Sequence, residues 1–597
     1  MSKPSSTYFS LFTLISLWSA IAVFRLNNIS DKEISWDVLG YYMHLPATFI
    51  HDDPFLKDTS WLRKINEEKQ LSGTLYQISS NDEGQDMYLF LMGSALFYSP
   101  WFGIAHLHAH VSDLPANGFS EPYQFWLVIG ALLYTLLGLW YFRRILLHFL
   151  PDKISAAVLF IIVVGSNYAH HLSLKNLETV NILFFLLALL IWHTIRWEEE
   201  KKFKHMMICG IAVSLMALVK PSEIVAGLIP LFWSVNSKSA FVERLNTFLA
   251  YRRQILLSIG IALLLLLPQM LYWHHMTGSF VFDSYKNPGV GLDLTSPHIL
   301  NVLFSFRKGW LIYTPIMIFA IVGLVFFFKQ KRKESAALLL YFLITFYIIA
   351  SWTEWWYGAG FSNRPLVTTY VILGIGIGFF INYILQKSIA VKLIFAFLIS
   401  SFILLNQFQW WQLRHYILDP YRTTKASYLA SFFATEPSTE IESKKLIPRD
   451  FSGEMEFTNP QGYHSTTILN FNALSRDSSV YIVTTEQEFP FEFSWTYKEI
   501  TSQDHFWMEV HMEVMRIDNS SDKFPLLAVF ADHNGSYGYR AFPLQIDSTE
   551  QWTKLTFHYL SPEIRNKNDK IKIHLWNRHF SKIAIRNFYI NKYEKIE

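Results

Sequence analysis

The chain has 597 residues and a formal net charge of +3 at pH 7, with 51% hydrophobic and 17% aromatic residues. The near-balanced charge leaves no electrostatic footprint for nucleic acid, and the hydrophobic residues come in long blocks that exclude an ordinary soluble fold. The single cysteine, Cys209, lies within such a block, so no intramolecular disulfide can form.

Eleven apolar segments are long enough to predict transmembrane helices. They lie near residues 8–24, 122–142, 154–171, 177–195, 205–219, 222–236, 255–273, 310–328, 335–351, 366–385 and 390–407. The first segment is not followed by a small-residue cleavage site, which indicates an uncleaved span. We therefore expect an α-helical multi-pass membrane domain over residues 1–410.

Clusters of lysine and arginine predict the orientation of these spans. Four loops carry them, with Arg143, Arg144 and Lys153 in one, Arg196, Lys201, Lys202 and Lys204 in the next, Lys238, Arg244, Arg252 and Arg253 in the third, and Lys329, Lys331, Arg332 and Lys333 in the last. All four fall on one side when the N-terminus lies inside, so we assign that side to the cytoplasm of a bacterial inner membrane. The odd number of spans then leaves the chain after about Gln407 on the periplasmic side.

One apolar block does not fit this scheme. Residues 87–105 are apolar enough to span, but counting them would place every later basic loop outside. We therefore predict a juxtamembrane or half-inserted helix within a long first outer loop, residues 25–121. A loop of that length between two spans usually has a functional reason.

The C-terminal part of the chain changes character. After a linker, residues 411–444, residues 445–597 lose the long apolar runs and alternate apolar and polar residues with period two, as in Val480–Val483 and Trp507–Val514. Short strands at regular spacing predict an extracytoplasmic antiparallel β-sandwich. Its closing strands resemble jelly-roll domains of the carbohydrate-binding type, a resemblance that concerns the fold only.

An acidic residue, Asp37, follows the first span in residues 35–42 (SWDVLGYY). The aromatic residues Trp36, Tyr41 and Tyr42 around it are typical of a membrane interface, which predicts that Asp37 lies at the outer face. The alternative is a solvated loop acid that caps a helix, since the apolar residues after it have helical spacing.

The order of these features resembles the GT-C superfamily of integral-membrane glycosyltransferases. An acid soon after the first span, juxtamembrane helices and many further spans are similar to protein O-mannosyltransferases and aminoarabinose transferases. Residues 304–315 (FSFRKGWLIYTP) and 355–364 (WWYGAGFSNR) resemble segments of bacterial membrane proteins of that superfamily. The resemblance covers residues 1–410 and implies a polyprenyl-phosphate sugar donor, with Asp37 as the catalytic base.

The chemistry of such a transfer requires a base and cations. The attacking hydroxyl of a glycan or glycolipid acceptor must lose its proton, and a positioned carboxylate contributes typically ~10²–10⁴-fold. The departing phosphate needs cations that hold it. One-step attack from the opposite face would invert the anomeric centre.

Arg307, Lys308 and Arg364 are the candidate phosphate ligands, because they lie on the predicted outer side, where basic residues are disfavoured. The alternative is that they are basic residues flanking spans, with Arg364 snorkelling to the interface. A second acid, Glu178, lies where the next outer loop enters its span. The resemblance implies that it orients the acceptor or supports the site, and the alternative is a structural pair with Lys175. Further candidates for the cavity lining are Tyr41, Tyr42, Lys175, Tyr285, Glu354, Trp356 and Tyr357.

No cofactor is expected. Adjacent histidines such as His274 and His275 do not share a helix face, so a metal is not favoured, although some diphosphate-using relatives employ one. Two other functions stay open, a transporter or flippase for a lipid-linked glycan and a glycan polymerase or ligase. Transporters favour internal repeats and mid-membrane charges, whereas here the charges collect at one face and we find no repeat.

Overall fold

The computed structural model describes residues 7–81, 83–285, 289–330, 333–446, 463–474, 479–503, 506–517, 524–533, 535–546, 550–579 and 581–596. Lys331 and Arg332 of the last basic loop therefore lie outside the described residues. The chain divides into two compact units, one formed by Met1–Tyr285 and Pro297–Ile447 and the other by Lys286–Ser296 and Pro448–Glu597.

The first unit is helical, with one small hairpin. Its helices are α1 Tyr8–Leu26, α2 Asp37–Tyr42, α3 His44–Phe49, α4 Ser60–Lys69, α5 Gly93–Val111, α6 Glu121–Phe149, α7 Asp152–Val164, α8 Tyr168–Ser173, α9 Thr179–Glu200, α10 Phe203–Val219, α11 Leu228–Phe232, α12 Lys238–Ala250, α13 Arg252–Thr277, α14 Ile299–Phe304, α15 Trp310–Tyr313, α16 Met317–Lys329, α17 Ser335–Ala350, α18 Tyr370–Ile384, α19 Ile389–Arg414, α20 Lys425–Ser431 and α21 Thr439–Ser443. The strands β1 Ile78–Ser80 and β2 Asp86–Tyr88 pair antiparallel, and 3₁₀ helices cover Pro221–Gly227 and Arg364–Thr369.

Six helices of the described chain are long and apolar enough to cross a membrane. They are Tyr8–Leu26, Glu121–Phe149, Thr179–Glu200, Arg252–Thr277, Arg364–Ile384 and Ile389–Arg414. Four further predicted spans coincide with shorter apolar helices, Phe203–Val219, Pro221–Phe232, Met317–Lys329 and Ser335–Ala350. The protein is thus an α-helical membrane protein, but the count of eleven spans is not confirmed.

Helix breaks explain why several apolar segments are shorter than their sequence suggests. The segment predicted at 310–328 is divided at Thr314 and Pro315 into α15 and α16, because proline lacks the N–H that a continuous helix requires. The segment predicted at 154–171 likewise ends as α7 at Val164, before Gly165. Hydropathy alone does not show such breaks.

The apolar block 87–105 begins in β2 and continues in α5. This helix contains Pro100, ends in a His-rich turn and is not among the six spanning candidates of the described chain. It lies against α6, where Gly130 makes room for the indole of Trp101, since a Cβ there would lie 2.3 Å from that ring. Its placement as a juxtamembrane helix stays a prediction.

Close helix packing also depends on glycine elsewhere in this unit. A Cβ on Gly323 of α16 would lie 1.8 Å from the carbonyl oxygen of Gly376 in α18. Only two facing glycines allow the backbones to approach this closely, as is common between membrane helices.

The residues predicted as a linker, 411–444, contain the end of α19 and the short helices α20 and α21, and they belong to the first unit. Gln412 holds the end of α20 against α19, since its side-chain amide donates to the carbonyl oxygens of Ser431 at 2.5 Å and Ala434 at 2.9 Å. Tyr428 adds an apolar contact with Tyr313, with ring centroids 5.8 Å apart. The predicted domain boundary at residue 445 stays a prediction, because residues 447–462 lie outside the described chain.

The second unit is a β-structure of two antiparallel sheets. Its strands are β3 Tyr463–Leu469, β4 Tyr481–Val483, β5 Glu492–Thr496, β6 Trp507–Arg516, β7 Leu526–Asp532, β8 Ser536–Pro543, β9 Trp552–Leu560, β10 Lys570–Trp576 and β11 Ile583–Lys595, with a 3₁₀ helix at Phe471–Ala473 and helix α22 at Tyr497–Ile500. One sheet has the order β5-β10-β7-β8, and the other has the order β3-β11-β6-β9 with β4 also paired to β11.

Alternating residues of both sheets form one core. Met508, Val510 and Met512 of β6 share it with Val529 of β7 and Ile573 of β10. This alternation is the period-two pattern of the sequence, and it confirms the predicted C-terminal β region. The segment Lys286–Ser296 belongs to this unit as well, where Asp293 accepts a hydrogen bond from the Asn566 amide at 3.0 Å.

Candidate functional site

One arginine joins the two predicted acids. Arg364 begins the 3₁₀ helix before α18, and its guanidinium donates through Nη2 to Asp37 Oδ2 and through Nη1 to Glu178 Oε1, the latter at 3.3 Å. These residues are 327 and 186 positions apart in sequence. The structure therefore brings a predicted phosphate ligand onto both predicted acids.

Asp37 is held by a turn of unusual backbone geometry. Trp36, the residue before it, has φ of 51°, and its backbone is fixed by a hydrogen bond from its N–H to Leu71 O at 3.0 Å and by one from the Gln77 amide to its own carbonyl at 2.9 Å. Helix α2 starts at Asp37, whose side chain stays 21% exposed. The carboxylate is thus positioned by the first outer loop and remains accessible.

Three tyrosines surround Asp37. The hydroxyl of Tyr76 donates to Asp37 Oδ1. Burial and then the charge of Asp37 raise the pKa values of Tyr76, Tyr41 and Tyr285. Tyr41 and Tyr285 both lie against Phe90, with ring centroids 4.6 Å and 5.7 Å away. These aromatic residues form one wall beside the carboxylate, and the role of Tyr41 and Tyr285 as lining of a substrate cavity stays a prediction.

Glu178 is the more buried of the two acids, with 6% of its surface exposed. Its Oε2 lies 3.1 Å from His171 Nδ1. Burial raises its pKa, but Arg364 and His171 outweigh burial, so the pKa lies well below the usual range of a glutamate. Lys175, the alternative partner considered from the sequence, is exposed, whereas the carboxylate of Glu178 contacts Arg364 and His171.

Arg307 and Lys308 lie in the connection between α14 and α15 and are both buried. Arg307 Nε donates to the Tyr421 carbonyl at 2.7 Å, and its guanidinium lies 4.2 Å from the centre of the Trp356 ring. Lys308 Nζ donates to the Gly360 carbonyl. Burial lowers the pKa of Lys308 well below that of an ordinary lysine, and the charges of Arg307 and Arg364 lower it further.

The remaining aromatic candidates separate into two groups. Trp356 lies under Arg307, and the ring of Tyr357 faces Lys220 at 5.6 Å. Tyr42, in contrast, is fully buried and donates its hydroxyl to the Gly118 carbonyl at 2.5 Å. Tyr42 therefore serves the scaffold of the first outer loop and does not line the site.

The loop before Arg364 has a strained backbone. Positive φ values occur at Tyr357 (51°), Gly358 (66°), Gly360 (146°) and Ser362 (59°). The half-buried Glu354 starts this loop, and its carbonyl accepts from the Tyr357 N–H at 2.9 Å. Backbone strain of this kind clusters at ligand-binding sites, and here it carries the chain from Trp356 to Arg364.

Three contributors to the site were not predicted as site residues. Tyr76 lies in a polar part of the first outer loop, Tyr421 in the predicted linker, and His171 at the end of a predicted span. His171 had a signal in the sequence, since a histidine pair preceding an acid by seven residues is unusual at a span terminus. Tyr76 and Tyr421 reach the site only through folding of their loops.

Among the described residues, no group of three or more histidine, cysteine, aspartate or glutamate side chains has the geometry to hold a metal ion. The expectation that the protein needs no metal is not tested by this observation. The cations Arg364, Arg307 and Lys308 supply positive charge at the site themselves.

No family model matches the chain, and no curated protein matches it. Among solved structures, the cryo-EM structure of the arabinosyltransferase EmbB from Mycobacterium smegmatis matches 98% of this chain and 65% of that chain, at 12% sequence identity and a TM-score of 0.28. The chain thus spans less than two thirds of the length of that arabinosyltransferase.

Proposed function

We propose that the protein is an integral-membrane glycosyltransferase of the GT-C type. It transfers a sugar from a polyprenyl-phosphate donor to a glycan, glycolipid or protein acceptor on the periplasmic face of the bacterial inner membrane. Surrounding membrane lipids hold the isoprenoid chain of the donor.

The observation that carries this proposal is the Asp37–Arg364–Glu178 constellation. A partly exposed carboxylate shares a guanidinium with a buried one, and the charge of that guanidinium lowers the pKa of the buried Lys308. Such a set provides a proton acceptor and positive charge for a phosphate. A structural ion pair alone would not require a buried Lys308, which costs desolvation free energy.

The reaction proceeds in one displacement step. The donor phosphate draws Arg364 away from Asp37, because a guanidinium binds phosphate in the same bidentate manner as carboxylate. Asp37 then accepts the proton of the acceptor hydroxyl while the hydroxyl oxygen bonds to the anomeric carbon from the opposite face. The bond between that carbon and the phosphate oxygen breaks, its electron pair stays on the phosphate, and the configuration inverts.

Arg307 and Lys308 hold the departing phosphate. Lys308 donates to the backbone carbonyl of Gly360, and a phosphate oxygen replaces a carbonyl at lower cost than it would replace a carboxylate. Arg307 donates to the Tyr421 carbonyl from the same connection. Glu178 keeps Arg364 in place during this exchange, because its own bond to the guanidinium does not involve Asp37.

The test is the glycan and glycolipid composition of a deletion strain, measured by mass spectrometry. The strain is complemented with the intact gene, with Asp37→Asn, or with Glu67→Gln, a matched acid-to-amide control at an exposed position of α4. We expect one sugar to be missing in the deletion strain, restored by the intact gene and by Glu67→Gln, and absent with Asp37→Asn at equal membrane levels. Full restoration by Asp37→Asn would refute the catalytic role of Asp37 and favour a transporter.

A further inference from the structure

Two adjacent histidines beside the candidate site have buried nitrogen atoms that the proposed mechanism does not use. His170 and His171 lie on α8, 6% and 0% exposed, with ring centroids 5.1 Å apart and ring planes at 81°. Nε2 of each ring is buried and has no hydrogen-bond partner among the described residues. Buried polar atoms rarely lack partners, so two neighbouring ones indicate a bound group.

The partner of His170 fixes its tautomer. The indole Nε1–H of Trp410 lies 3.2 Å from His170 Nδ1, and an indole nitrogen can only donate. His170 Nδ1 is therefore an acceptor, and the ring proton is on Nε2. His170 thus presents a neutral N–H donor.

The partner of His171 fixes the opposite tautomer. Its Nδ1 lies 3.1 Å from Glu178 Oε2, and a carboxylate can only accept. His171 Nδ1 therefore carries the proton, and in the neutral ring Nε2 has a free lone pair. The pair of histidines presents one donor and one acceptor side by side.

The two rings lie beside the loop that precedes Arg364. A Cβ on Gly360 would lie 3.9 Å from His171 Cε1, and His170 packs edge-on against Phe361, with ring centroids 6.3 Å apart. Gly360 and Phe361 also line a small cavity together with Arg307. The histidines are thus neighbours of the loop whose Gly360 carbonyl accepts the hydrogen bond of Lys308.

We propose that His170 and His171 form a subsite for a hydroxyl group of the transferred sugar, with His170 donating to the hydroxyl oxygen and His171 accepting its proton in a hydrogen bond. A phosphate oxygen only accepts and an ammonium group only donates, whereas a hydroxyl does both. This assignment rests on the proposed function, and it makes the histidines positioning and specificity residues.

Asparagine and glutamine substitutions separate the two ring nitrogens. His170→Asn keeps an acceptor for Trp410, and His171→Asn keeps a donor for Glu178, but both remove the group at the Nε2 position. His170→Gln and His171→Gln place an amide at the Nε2 position instead. Product formation is measured in the complemented deletion strain at matched membrane levels, and binding of undecaprenyl phosphate, a probe without a sugar, is measured on each purified variant by native mass spectrometry.

We expect each Asn variant to form about tenfold less product and each Gln variant to stay within about threefold of wild type. All four should bind undecaprenyl phosphate like wild type, in contrast to Arg307→Gln. If an Asn variant does not reach the membrane, Trp410→Phe is tested in its place. Without the indole N–H, His170 is no longer held in the tautomer that has its proton on Nε2, and product formation should fall about threefold.

Wild-type product in both Asn variants would show that the nitrogens hold only ordered water and would overturn the proposal. Weaker undecaprenyl phosphate binding in these variants would also overturn it, since the histidines would then serve the phosphate. Failure of the proposed function is distinguishable, because Asp37→Asn would then form product as well.

Discussion

At the scale of single residues, the site combines buried charges that have different partners. Arg364 carries two carboxylates, whereas Lys308 donates to a backbone carbonyl. Burying a cation against a neutral carbonyl costs desolvation free energy, and an uncharged side chain could fill the same space without this cost. We therefore expect such residues to serve binding more than stability.

Lys308→Met should leave stability unchanged or raise it by about 1 kcal/mol, because methionine fills a similar volume without a charge that burial disfavours. The same variant should lose product and bind undecaprenyl phosphate more weakly. Thermal unfolding in detergent and native mass spectrometry measure the two effects, with Lys64→Met on the exposed face of α4 as the control. A loss of more than about 2 kcal/mol would show that Lys308 is structural.

Arg364→Gln should destabilise the first unit, because it leaves the carboxylates of Asp37 and Glu178 without their cation. Breaking a buried ion pair costs about 3–5 kcal/mol, and the partial exposure of Asp37 and Arg364 reduces this to about 2–3 kcal/mol. The double variant Asp37→Asn with Arg364→Gln should recover part of the loss. Thermal unfolding of the single and double variants forms the cycle, and strict additivity would contradict direct coupling.

The sequence predicted which acids and cations occur at outer loops but not how they pair. Asp37 and Glu178 were predicted as site residues from the family resemblance, and Arg364 because basic residues are disfavoured on the predicted outer side. Their mutual contact depends on loops that fold back over long sequence separations, so Glu178 received Lys175 as an alternative partner. For the same reason Tyr76 and Tyr421 could not be assigned to the site.

At the scale of elements, periodicity predicted the second unit better than hydropathy predicted the helices. Period-two alternation identifies a strand and its buried face together, as in β6. Apolar length does not reveal interruptions such as the one at Pro315, nor that Lys286–Ser296 belongs to the β unit. That segment is polar and lies between two helices, so only its contacts, such as Asp293 with Asn566, reveal its place.

The loop contacts in the β unit predict a pH dependence. His533 Nδ1 donates to Asp569 Oδ1, and this hydrogen bond, against the effect of burial, raises the pKa of His533 above 6.5. A raised histidine pKa gives stability that is fully present below pH 6.5 and is lost as the pH rises through the folded-state pKa. We expect β10 to lose about 1–2 kcal/mol of protection between pH 6 and pH 8.

Amide hydrogen exchange of peptides covering Lys570–Trp576, corrected for the intrinsic rate, measures this loss in the full-length protein. His533→Gln should show the lower protection at both pH values, and His464→Gln, at an exposed position of β3, should behave like wild type. Equal protection of the wild-type peptides at pH 6 and pH 8 would contradict the assigned shift.

At the scale of the whole molecule, the proposed function depends on which side of the membrane the site faces. Six helices of the described chain are spanning candidates by length and composition, and four shorter apolar helices accompany them. The side of each loop follows from the basic clusters, which predict the loop near Ser239 inside and the loops near Asp37 and Thr435 outside. The same scheme requires that α5 does not cross, because one extra crossing would invert everything after it.

Single-cysteine labelling tests which side of the membrane each loop faces and whether α5 crosses it. The native Cys209 is buried, so a membrane-impermeant maleimide should report only cysteines introduced at the exposed positions Gln85, Ser112, Ser239 and Thr435. In intact spheroplasts we expect Gln85→Cys, Ser112→Cys and Thr435→Cys to be labelled and Ser239→Cys to react only after permeabilisation. Because Gln85 and Ser112 flank α5, labelling of only one of them would show that α5 crosses the membrane. The basic loops would then face the outside, which would contradict the predicted orientation of the spans.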